Sequence, residues 1–473
     1  MKLAQLYPQA PGKMAEIEIT GIADNSQNVK PGYLFVALVG PLADGHNYIN
    51  DAISKGASAV ICERPNGSNI EIIVEDSHRA LAEVCNRFYG EPLRKIKLIG
   101  VTGTNGKTSY TYMLKFLMEQ QGHKVGLIGT IQYIIGEKCI ESNNTTPGIL
   151  DIFSLLGEMA DEGCDYCIME VSSHALHQRR VEGLHFCVAS FTNLTRDHLD
   201  YHSTMEEYLN CKKRLFYMCD KAVINYDDEC YPSLTEGLPC EIFNYSQQNT
   251  GMYIAKGINY HPADVNYKLL STNGINHVKV NVGGIFTVYN SLNAITTIDV
   301  LGLDLNKACL DIVKFKGVKG RCERVETNTD YTVIIDYAHT PDGLKNILTS
   351  FNNCEKNRLT VLFGCGGDRD KTKRPIMGEI AIRYADNVIV TSDNPRTENP
   401  TEIINDILGG MHGSRVQYKV IENRIEAIKY AISTAQSGDI IILAGKGHET
   451  YQIIGKDKIH LDEREIVLQA LEE

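Results

Sequence analysis

The stretch TGTNGKTS, residues 102–109, decides the fold of this chain. It follows an apolar run at 96–101, and apolar residues at helical spacing continue after it. A strand, a glycine-rich turn and a helix in this order present backbone N–H groups at the helix start, where they can bind phosphate oxygens. Lys107 of such a loop reaches the terminal phosphates, and the hydroxyl of Thr108 reaches Mg²⁺. The sequence therefore predicts an ATP site.

The phosphate-binding motif is present in a shortened form. Val101 stands where the longer pattern has glycine, so the match is limited to Gly103-x-x-Gly106-Lys107-Thr108. The alternative is a glycine turn that happens to be followed by a lysine. The order of strand, turn and helix around the motif favours the phosphate loop.

Length and composition indicate a globular protein of several domains. The 473 residues exceed what one hydrophobic core organises, so we expect about three domains. The net charge of −12 argues against a nucleic-acid-binding protein, and anionic substrates would need local arginine and lysine clusters. The 14 cysteines are irregularly spaced, and Cys164-x-x-Cys167 has no second pair, so we expect reduced thiols and no zinc.

The N-terminal sequence and the hydropathy predict a cytoplasmic protein. Gln5 and Pro8 interrupt the apolar start of the chain, which is not typical of a signal peptide. No apolar run approaches the ~18 residues that a membrane span requires. We therefore expect no membrane insertion.

Alternating strand and helix patterns predict an α/β protein of three domains, at 1–92, 93–323 and 324–473. The small first domain has predicted strands at 33–39 and 59–62 and a helix at 48–55. The central domain opens with the phosphate loop, and its sheet is expected to be mostly parallel, with strands at 125–128, 166–171, 188–192 and 222–224. The third domain is expected to be Rossmann-like, with strands at 333–335, 359–363, 387–391 and 439–443.

Polar motifs follow the predicted strands. Ligands of such sheets bind beyond the carboxyl ends of the strands. The motifs there are EVSSHAL at 170, NLTRDHLDYH at 193, DYAHTPD at 336, GCGGDRDKTKRP at 364, SDNPRTENP at 392 and GKGHETYQ at 445. A structural protein has no need for so many polar strand ends, so the pattern indicates an enzyme.

Two acidic motifs are candidates for metal binding. Glu170 ends a buried strand, where its carboxylate could hold Mg²⁺ opposite Thr108 or could instead cap the next helix. His198 lies in a cluster with Asp197, Asp200 and His202. That cluster is either a second metal position or the solvated start of a helix.

Three basic residues have two interpretations each. Lys212 lies at the edge of an apolar helical face in YLNCKKRLF, and its spacing alone favours a side chain that extends to solvent. Arg369 and Arg396 follow strands, where a guanidinium could bind a carboxylate through two hydrogen bonds. Solvated surface arginines are the alternative.

Taken together, the motifs resemble the Mur ligase family, and within it the diaminopimelate-adding branch. The resemblance rests on TGTNGKT, NTTP, EVSSHAL, NLTRDHLDYH, CKKRLF, GRCE, DYAHTPD, GCGGDRDKTKRP, DNPR and GKGHE in this order, and it covers nearly the whole chain. It implies an N-terminal domain for the UDP end of the substrate, a central ATPase domain and a closing C-terminal domain.

The resemblance also implies the reaction. ATP phosphorylates the D-Glu carboxylate of UDP-MurNAc-L-Ala-D-Glu, and the amine of meso-diaminopimelate attacks the acyl phosphate to give an amide, ADP and phosphate. Positioning and charge neutralisation would carry most of the catalysis. The implied cofactors are ATP and Mg²⁺, the substrates are small molecules, and we expect a monomer.

Residue roles are carried over from the family motif by motif. The implied ATP contacts are Gly103, Thr104, Asn105, Gly106, Lys107, Thr108, Ser109, Asn290, Arg321, Asp336 and His339. The implied Mg²⁺ ligands or their near neighbours are Thr108, Glu170, His198 and a carbamylated Lys212. The implied catalytic residues are Lys107, Glu170, His198 and Lys212. The implied contacts of the UDP-muramoyl-dipeptide are Ser26, Asn144, Thr145, Thr146, Ser172, Gln178 and Arg180. The implied diaminopimelate contacts are Arg369, Asp393, Asn394, Pro395, Arg396, Gly445 and Glu449.

The sequence departs from the family at Asn25-Ser26-Gln27, where DSR is usual, which removes either a charged contact or a local ion pair near the expected uridine site. Three alternative functions stay open at this point. A lysine-adding relative would leave Arg396 without a distal carboxylate to bind. A nucleotide-switched binding protein and a folylpolyglutamate-type ligase would share the phosphate loop, but neither needs a domain for a UDP-sugar.

Overall fold

Three α/β domains follow one another along the chain in this computed structural model, which describes residues 1–40, 43–199, 201–413 and 416–472. Asp200 of the predicted acidic cluster lies outside the described residues. The predicted class, α/β with mostly parallel sheets, is confirmed. Short 3₁₀ turns connect the elements at Gly12–Glu16, Ser26–Asn28, Gly45–Tyr48, Pro92–Arg94, Arg214–Tyr217 and Ile312–Lys314.

The N-terminal domain is a four-stranded parallel sheet in the order β1-β2-β3-β4. Its elements are α1 Leu3–Leu6, β1 Gly21–Ala23, β2 Tyr33–Val36, α2 Ile49–Ser54, β3 Ala59–Cys62, β4 Glu71–Ile73 and α3 Ser77–Phe88. The predicted strands at 33–39 and 59–62 are β2 and β3, although β2 ends three residues early. The carboxylate of Asp76 caps α3 by accepting from the backbone N–H groups of His78 and Arg79.

The central domain is an eleven-stranded sheet in the order β15-β14-β13-β12-β11-β10-β5-β9-β6-β7-β8. Its first half contains β5 Lys97–Thr102, α4 Lys107–Gln120, β6 Val125–Ile128, β7 Gln132–Ile135, β8 Lys138–Glu141, α5 Ile149–Asp161, β9 Tyr166–Glu170, α6 Ser173–His177 and β10 Phe186–Phe191. Its second half contains α7 Met205–Lys213, β11 Cys219–Asn225, α8 Tyr231–Thr235, β12 Glu241–Ser246, β13 Tyr253–Tyr260, β14 Val265–Ser271, β15 Gly274–Val280, α9 Ile285–Val300 and α10 Leu305–Asp311.

The middle of this sheet is parallel, and both of its edges are antiparallel hairpins. The strands β5 and β9 are buried on both faces, as expected of parallel strands covered by helices. Their carboxyl ends bring the phosphate loop and Glu170 to the same edge of the sheet. The topology therefore places the two main predicted motifs side by side.

The C-terminal domain has a six-stranded sheet in the order β16-β17-β21-β18-β19-β20, parallel except for β16. Its elements are β16 Glu323–Val325, β17 Thr332–Asp336, α11 Pro341–Asn352, β18 Leu359–Phe363, α12 Lys373–Tyr384, β19 Asn387–Val390, α13 Pro400–Leu408, β20 Gln417–Val420, α14 Arg424–Ser433, β21 Ile440–Ala444, β22 Tyr451–Ile454, β23 Asp457–His460 and α15 Glu463–Glu472. The strands β22 and β23 form a separate antiparallel hairpin.

Buried apolar clusters connect the domains. One cluster continues from the N-terminal domain into the central sheet, and another joins the phosphate-loop side of the central domain to the C-terminal domain. The second cluster sets the C-terminal domain over the carboxyl edge of the central sheet. Among the described residues, no helix has both the length and the apolar character that crossing a membrane requires.

Candidate active site

The phosphate loop has the strand–turn–helix geometry that the sequence predicted. The strand β5 ends at Thr102, and α4 begins at Lys107, with Gly106 at its N-cap, where glycine offers no capping side chain. The helix therefore presents open N–H groups to the cleft. Gly103 and Gly106 have φ of +143° and +86°. A Cβ at Gly103 would lie 1.9 Å from Thr192 Oγ1, and a Cβ at Gly106 would lie 2.5 Å from Asn290 Oδ1. Only glycine fits both positions.

Two lysines converge on one carbonyl of this loop. Lys107 Nζ donates to the carbonyl oxygens of Gly103 and Thr104, both at 2.9 Å. Lys212 Nζ donates to the same oxygen of Gly103 at 2.8 Å and lies 4.3 Å from the centre of the Tyr208 ring. Lys212 is only 1% exposed. The prediction from its spacing, a side chain that extends to solvent, is therefore wrong. Burial, and then the charge of Lys107, hold the pKa of Lys212 well below the usual lysine value.

Glu170 faces the start of α4. Its Oε2 accepts from the hydroxyls of Thr108 at 3.1 Å and Thr130 at 2.9 Å, and its Oε1 accepts from the Thr130 N–H at 3.0 Å. The hydroxyl of Ser172 caps α6 instead, accepting from the N–H of Ala175, so Glu170 is not the helix cap. A fully buried carboxylate beside a hydroxyl is a set of oxygen donors that fits Mg²⁺.

His198 lies at the cleft in a group of aromatic and imidazole rings. Its backbone has φ of +54°, its Nε2 is 3.5 Å from Asp197 Oδ2, and its ring centre is 4.9 Å from that of His174. His202 instead bonds to the Ser173 hydroxyl through Nε2 at 2.9 Å. The structure brings His198 near the cleft, but Asp197, His198 and His202, the described members of the predicted cluster, share no common metal position.

Within the described residues, one group of three potential metal-ligating side chains comes close together, and it lies elsewhere, at Glu63, Asp76 and His78. Each carboxylate of this group is already engaged. Glu63 accepts from Ser77, and Asp76 accepts from the start of α3 and from Arg179. This group therefore anchors the start of a helix.

A cleft of about 580 Å³ lies between the central and C-terminal domains. It is lined by the predicted ATP residues Thr104, Asn105, Gly106, Lys107, Thr108, Ser109, Asn290, Arg321, Asp336 and His339. Gly103, the remaining predicted ATP residue, is part of the same loop and packs against Thr192. Residues that approach from separate domains thus line one cavity with room for a nucleotide.

The wall of the cleft that adjoins the C-terminal domain holds a guanidinium with an unpaired buried donor. Arg321 packs 4.5 Å from the centre of the Tyr337 ring, and its buried Nε has no partner within the described part of the chain. Asp336 accepts from the N–H groups of Cys322 at 2.7 Å and Ala338 at 2.9 Å, and burial raises the pKa of its carboxyl. An unpaired buried donor is costly, so Arg321 fits a site for an anionic ligand such as phosphate.

The predicted dipeptide contacts form a connected network next to Glu170. The hydroxyl of Thr146 donates to the Glu170 carbonyl at 2.8 Å and accepts from the Ser172 N–H at 3.0 Å. Arg180 donates to the Thr146 carbonyl at 2.8 Å and, through Nε and Nη2, to Gln178 Oε1. These side chains therefore form a polar wall that starts at the main chain of Glu170.

The remaining predicted contacts of this substrate lie at the ends of that wall or beyond it. The Thr145 hydroxyl bonds to that of Thr130 at 3.1 Å, and the Asn144 carbonyl accepts from the Tyr133 hydroxyl at 2.8 Å. Ser26 lies apart, buried in a 3₁₀ turn of the N-terminal domain that Asn25 caps. The residue that replaces the usual acid of DSR therefore serves as a turn cap.

The predicted amino-acid contacts gather in the C-terminal domain. Arg396 Nη1 donates to the carbonyl of Gly367 at 2.8 Å, which joins its loop to the loop that carries the exposed Arg369. Glu449 Oε2 accepts from Asn394 Nδ2 at 2.9 Å. Gly445 is required, because a Cβ there would lie 2.7 Å from Asp393 Oδ2.

Pro395 and Lys446 complete this cluster. The carbonyl of Pro395 would lie 1.9 Å from a Cβ at Gly367, so the two loops touch through their backbones. The ammonium of Lys446 is fully buried and lies 3.0 Å from Asn394 Oδ1 and 3.1 Å from Glu449 Oε2. The amide of Asn394 is thus largely occupied with holding Lys446 and Glu449.

Sequence reasoning left three site residues unassigned. Asn193 clamps Asn105 by accepting from its N–H at 2.9 Å and donating to its carbonyl at 3.1 Å. Asp342 accepts from Asn105 Nδ2 at 2.8 Å, and Lys446 organises the amino-acid cluster. All three lie inside the polar motifs that follow predicted strands. Their position at the strand ends is therefore the sequence feature that could have identified them as site residues.

The geometry defines an ATP-using enzyme in which a second domain closes over a phosphate loop. Three family models match consecutive parts of the chain: Mur ligase family, catalytic domain, at 18–89; Mur ligase middle domain at 101–298; and Mur ligase, glutamate ligase domain, at 320–447.

Two curated relatives are named UDP-N-acetylmuramoyl-L-alanyl-D-glutamate--2,6-diaminopimelate ligase. That of Caldanaerobacter subterraneus subsp. tengcongensis is 47% identical over 462 residues, which cover 97% of this chain and 95% of the relative. That of Geobacillus thermodenitrificans is 41% identical over 487 residues, which cover 100% of both chains. A solved structure with the same enzyme name superimposes with a TM-score of 0.76 at 32% identity, covering 100% of this chain and 99% of the other.

The chain belongs to the Mur ligase family. It is therefore an ATP-dependent ligase that forms amide bonds, and its place is in peptidoglycan precursor synthesis. The resemblance drawn from the motifs is confirmed.

Proposed function

We propose that this enzyme adds meso-diaminopimelate to UDP-N-acetylmuramoyl-L-alanyl-D-glutamate. The observation that carries the proposal is the joined pair of loops that presents Arg369 and Arg396 together with Glu449. An amino acid with a distal carboxylate and a distal ammonium needs cations and an anion at the same place. Lysine, the alternative substrate, would leave both guanidiniums without a carboxylate.

ATP supplies the leaving group in the proposed reaction. The γ-phosphoryl group passes to an oxygen of the D-Glu carboxylate and ADP departs; the amine nitrogen then attacks the carbonyl carbon, and phosphate leaves as the amide forms. Lys107 and the open N–H groups of α4 bind the phosphates, while Arg321 approaches from the opposite wall of the cleft, where it packs on Tyr337 of the closing domain. Asn290, Asp336 and His339 would bind the rest of the nucleotide.

Thr108 and Glu170 would hold Mg²⁺, which would neutralise phosphate charge. We propose that Lys212 is carbamylated and provides an anionic oxygen at the same edge. Addition of CO₂ needs the neutral amine, and the lowered pKa of Lys212 favours that form. His198 would lie close to this Mg²⁺ site, as a ligand or a near neighbour of the ion.

The network from Thr145 to Arg180 would bind the peptide end of the muramoyl substrate and direct its D-Glu carboxylate toward Glu170. Ser26 in the N-terminal domain would bind the UDP end. We further propose domain limits at 1–92, 93–323 and 324–473, a cytoplasmic location and a monomeric state; gel filtration coupled to light scattering tests the last.

An amino-acid panel tests the function. Purified enzyme receives ATP, Mg²⁺, the UDP-muramoyl-dipeptide and one of meso-diaminopimelate, L-lysine or L-ornithine, and product mass and phosphate release are recorded. With meso-diaminopimelate we expect phosphate and the tripeptide product. With lysine we expect turnover slower by at least about 100-fold, because the charged hydrogen bonds to the distal carboxylate are lost. Equal turnover with lysine would contradict the assignment.

The same assay separates ligation from nucleotide hydrolysis and from folate chemistry. Phosphate release at full rate without the acid or the amino acid, and with no joined product, would indicate a nucleotide-switched binding protein. Ligation of glutamate to a folate instead would indicate the folylpolyglutamate-type activity. Saturable binding of the UDP-muramoyl-dipeptide distinguishes the proposed function from both.

A further inference from the structure

The hairpin of β22 and β23 lies outside the main C-terminal sheet, yet it is bonded to the loop at 393–396. The motif GKGHETYQ continues into its first strand. The proposed function gives a role to Glu449 of this motif and none to the hairpin. The contacts between the hairpin and the loop show what it does.

The hairpin holds the backbone of Arg396 on both sides. The N–H of Arg396 donates to the Ile453 carbonyl at 3.1 Å, and the N–H of Gly455 donates to the Arg396 carbonyl at 2.7 Å. Arg396 has φ of +51°, a left-handed conformation that is unfavourable for a residue with a Cβ. Such a conformation persists where surrounding contacts fix it, and here the hairpin provides those contacts.

The same strand fixes the start of the loop through a side chain. Gln452 Nε2 donates to the Asp393 carbonyl at 2.5 Å and lies 3.5 Å from the Ser392 hydroxyl. The neighbouring N–H of Ile453 donates to Asn394 Oδ1 at 2.9 Å. The loop is therefore attached to β22 at both ends.

We propose that Gln452 is a positioning residue that sets the selectivity of the amino-acid site. By holding the Asp393 carbonyl, it fixes the loop so that the Arg396 guanidinium rests on the Gly367 carbonyl beside Arg369. A small displacement of a guanidinium that grips a carboxylate loses much of its binding. Lysine has no distal carboxylate, so its use does not depend on that position. This inference rests on the proposed function.

The test compares Gln452→Met, which keeps the length of the side chain, with Gln452→Ala. We expect each to raise KM for meso-diaminopimelate about fivefold to tenfold, the value of one neutral hydrogen bond, with kcat within about twofold. KM for ATP and for lysine should stay unchanged, so the preference for diaminopimelate over lysine falls by the same factor. Gln417→Ala, at an exposed glutamine of β20, is the matched control and should match wild type.

Each outcome decides the matter. An unchanged preference in both variants, or an equal loss for all substrates, would show that Gln452 has no positioning role and would overturn the proposal. A wild-type enzyme without preference for diaminopimelate would instead overturn the proposed function, whatever the variants do. A selective loss in both Gln452 variants, against a wild-type preference, would support the two together.

Discussion

At the scale of single residues, the burial of Lys212 is the feature with the largest functional consequence. Its ammonium and that of Lys107 donate to the same Gly103 carbonyl. Repulsion between two buried positive charges makes this arrangement unfavourable. Conversion of Lys212 to a carbamate removes one positive charge and adds an anionic group. The unfavourable electrostatics of the unmodified site therefore agree with the proposed modification.

Lys212→Ala should lose about 10-fold to 100-fold in kcat, because the proposed anionic oxygen is gone. Acetate or formate in the assay should restore part of the activity by refilling that position. The measurement is phosphate release with and without the small acid. Lys213→Ala is the control, because Lys213 is the next residue and bonds to the carbonyls of Ser233 and Glu236 at the surface. Wild-type turnover in Lys212→Ala would contradict the proposed role.

His448 gives a second prediction, for stability against pH. Burial, followed by the charge of Arg321, lowers its pKa to about 4 from 6.5. The unfolded chain then binds more protons than the folded chain between these values, so stability falls as pH drops from 6.5 to 4. The contribution is at most about 3 kcal/mol. Urea unfolding at several pH values should show a smaller fall for His448→Gln than for wild type, and equal slopes would contradict this account.

At the scale of elements, Arg396 tests the loop that the hairpin supports. Arg396→Ala should raise the apparent KM for diaminopimelate by about 10-fold to 100-fold, the loss of about 1.5–3 kcal/mol of charged hydrogen bonding. KM for ATP should change little, because the loop does not line the nucleotide cleft. Initial rates with each substrate varied in turn give both constants. A rise in KM for ATP as large as that for diaminopimelate would argue against the assignment.

The elements also show what the sequence could and could not predict. The strand β5, the glycine turn and α4 follow from local pattern, because their geometry is set by neighbours in the chain. Lys212 was placed at the edge of an apolar face, but the carbonyl that holds it lies 109 residues away. The hairpins at the edges of the central sheet were likewise not predicted. Contacts between distant segments leave no local periodicity, so only recognition of the motifs could suggest them.

At the scale of the whole molecule, Asp342 joins the C-terminal domain to the phosphate loop. Its Oδ2 accepts from Asn105 Nδ2 and the Thr195 hydroxyl, both at 2.8 Å, across the interdomain cleft. It lies in the first turn of α11, where a carboxylate is stabilised by the helix dipole. These bonds join the two domains across the cleft.

Asp342→Ala should shift the enzyme toward an open arrangement, because two hydrogen bonds to a charged acceptor, each worth about 1.5–3 kcal/mol, are lost. Small-angle X-ray scattering without ligand should give a larger radius of gyration than wild type. KM for ATP should rise, since part of its binding energy must now close the cleft. ATP analogues should bring the two scattering profiles together. Asp342→Asn keeps an acceptor oxygen and should lie between them; an alanine variant with the wild-type profile and KM would show that the apolar contacts alone hold the domains closed.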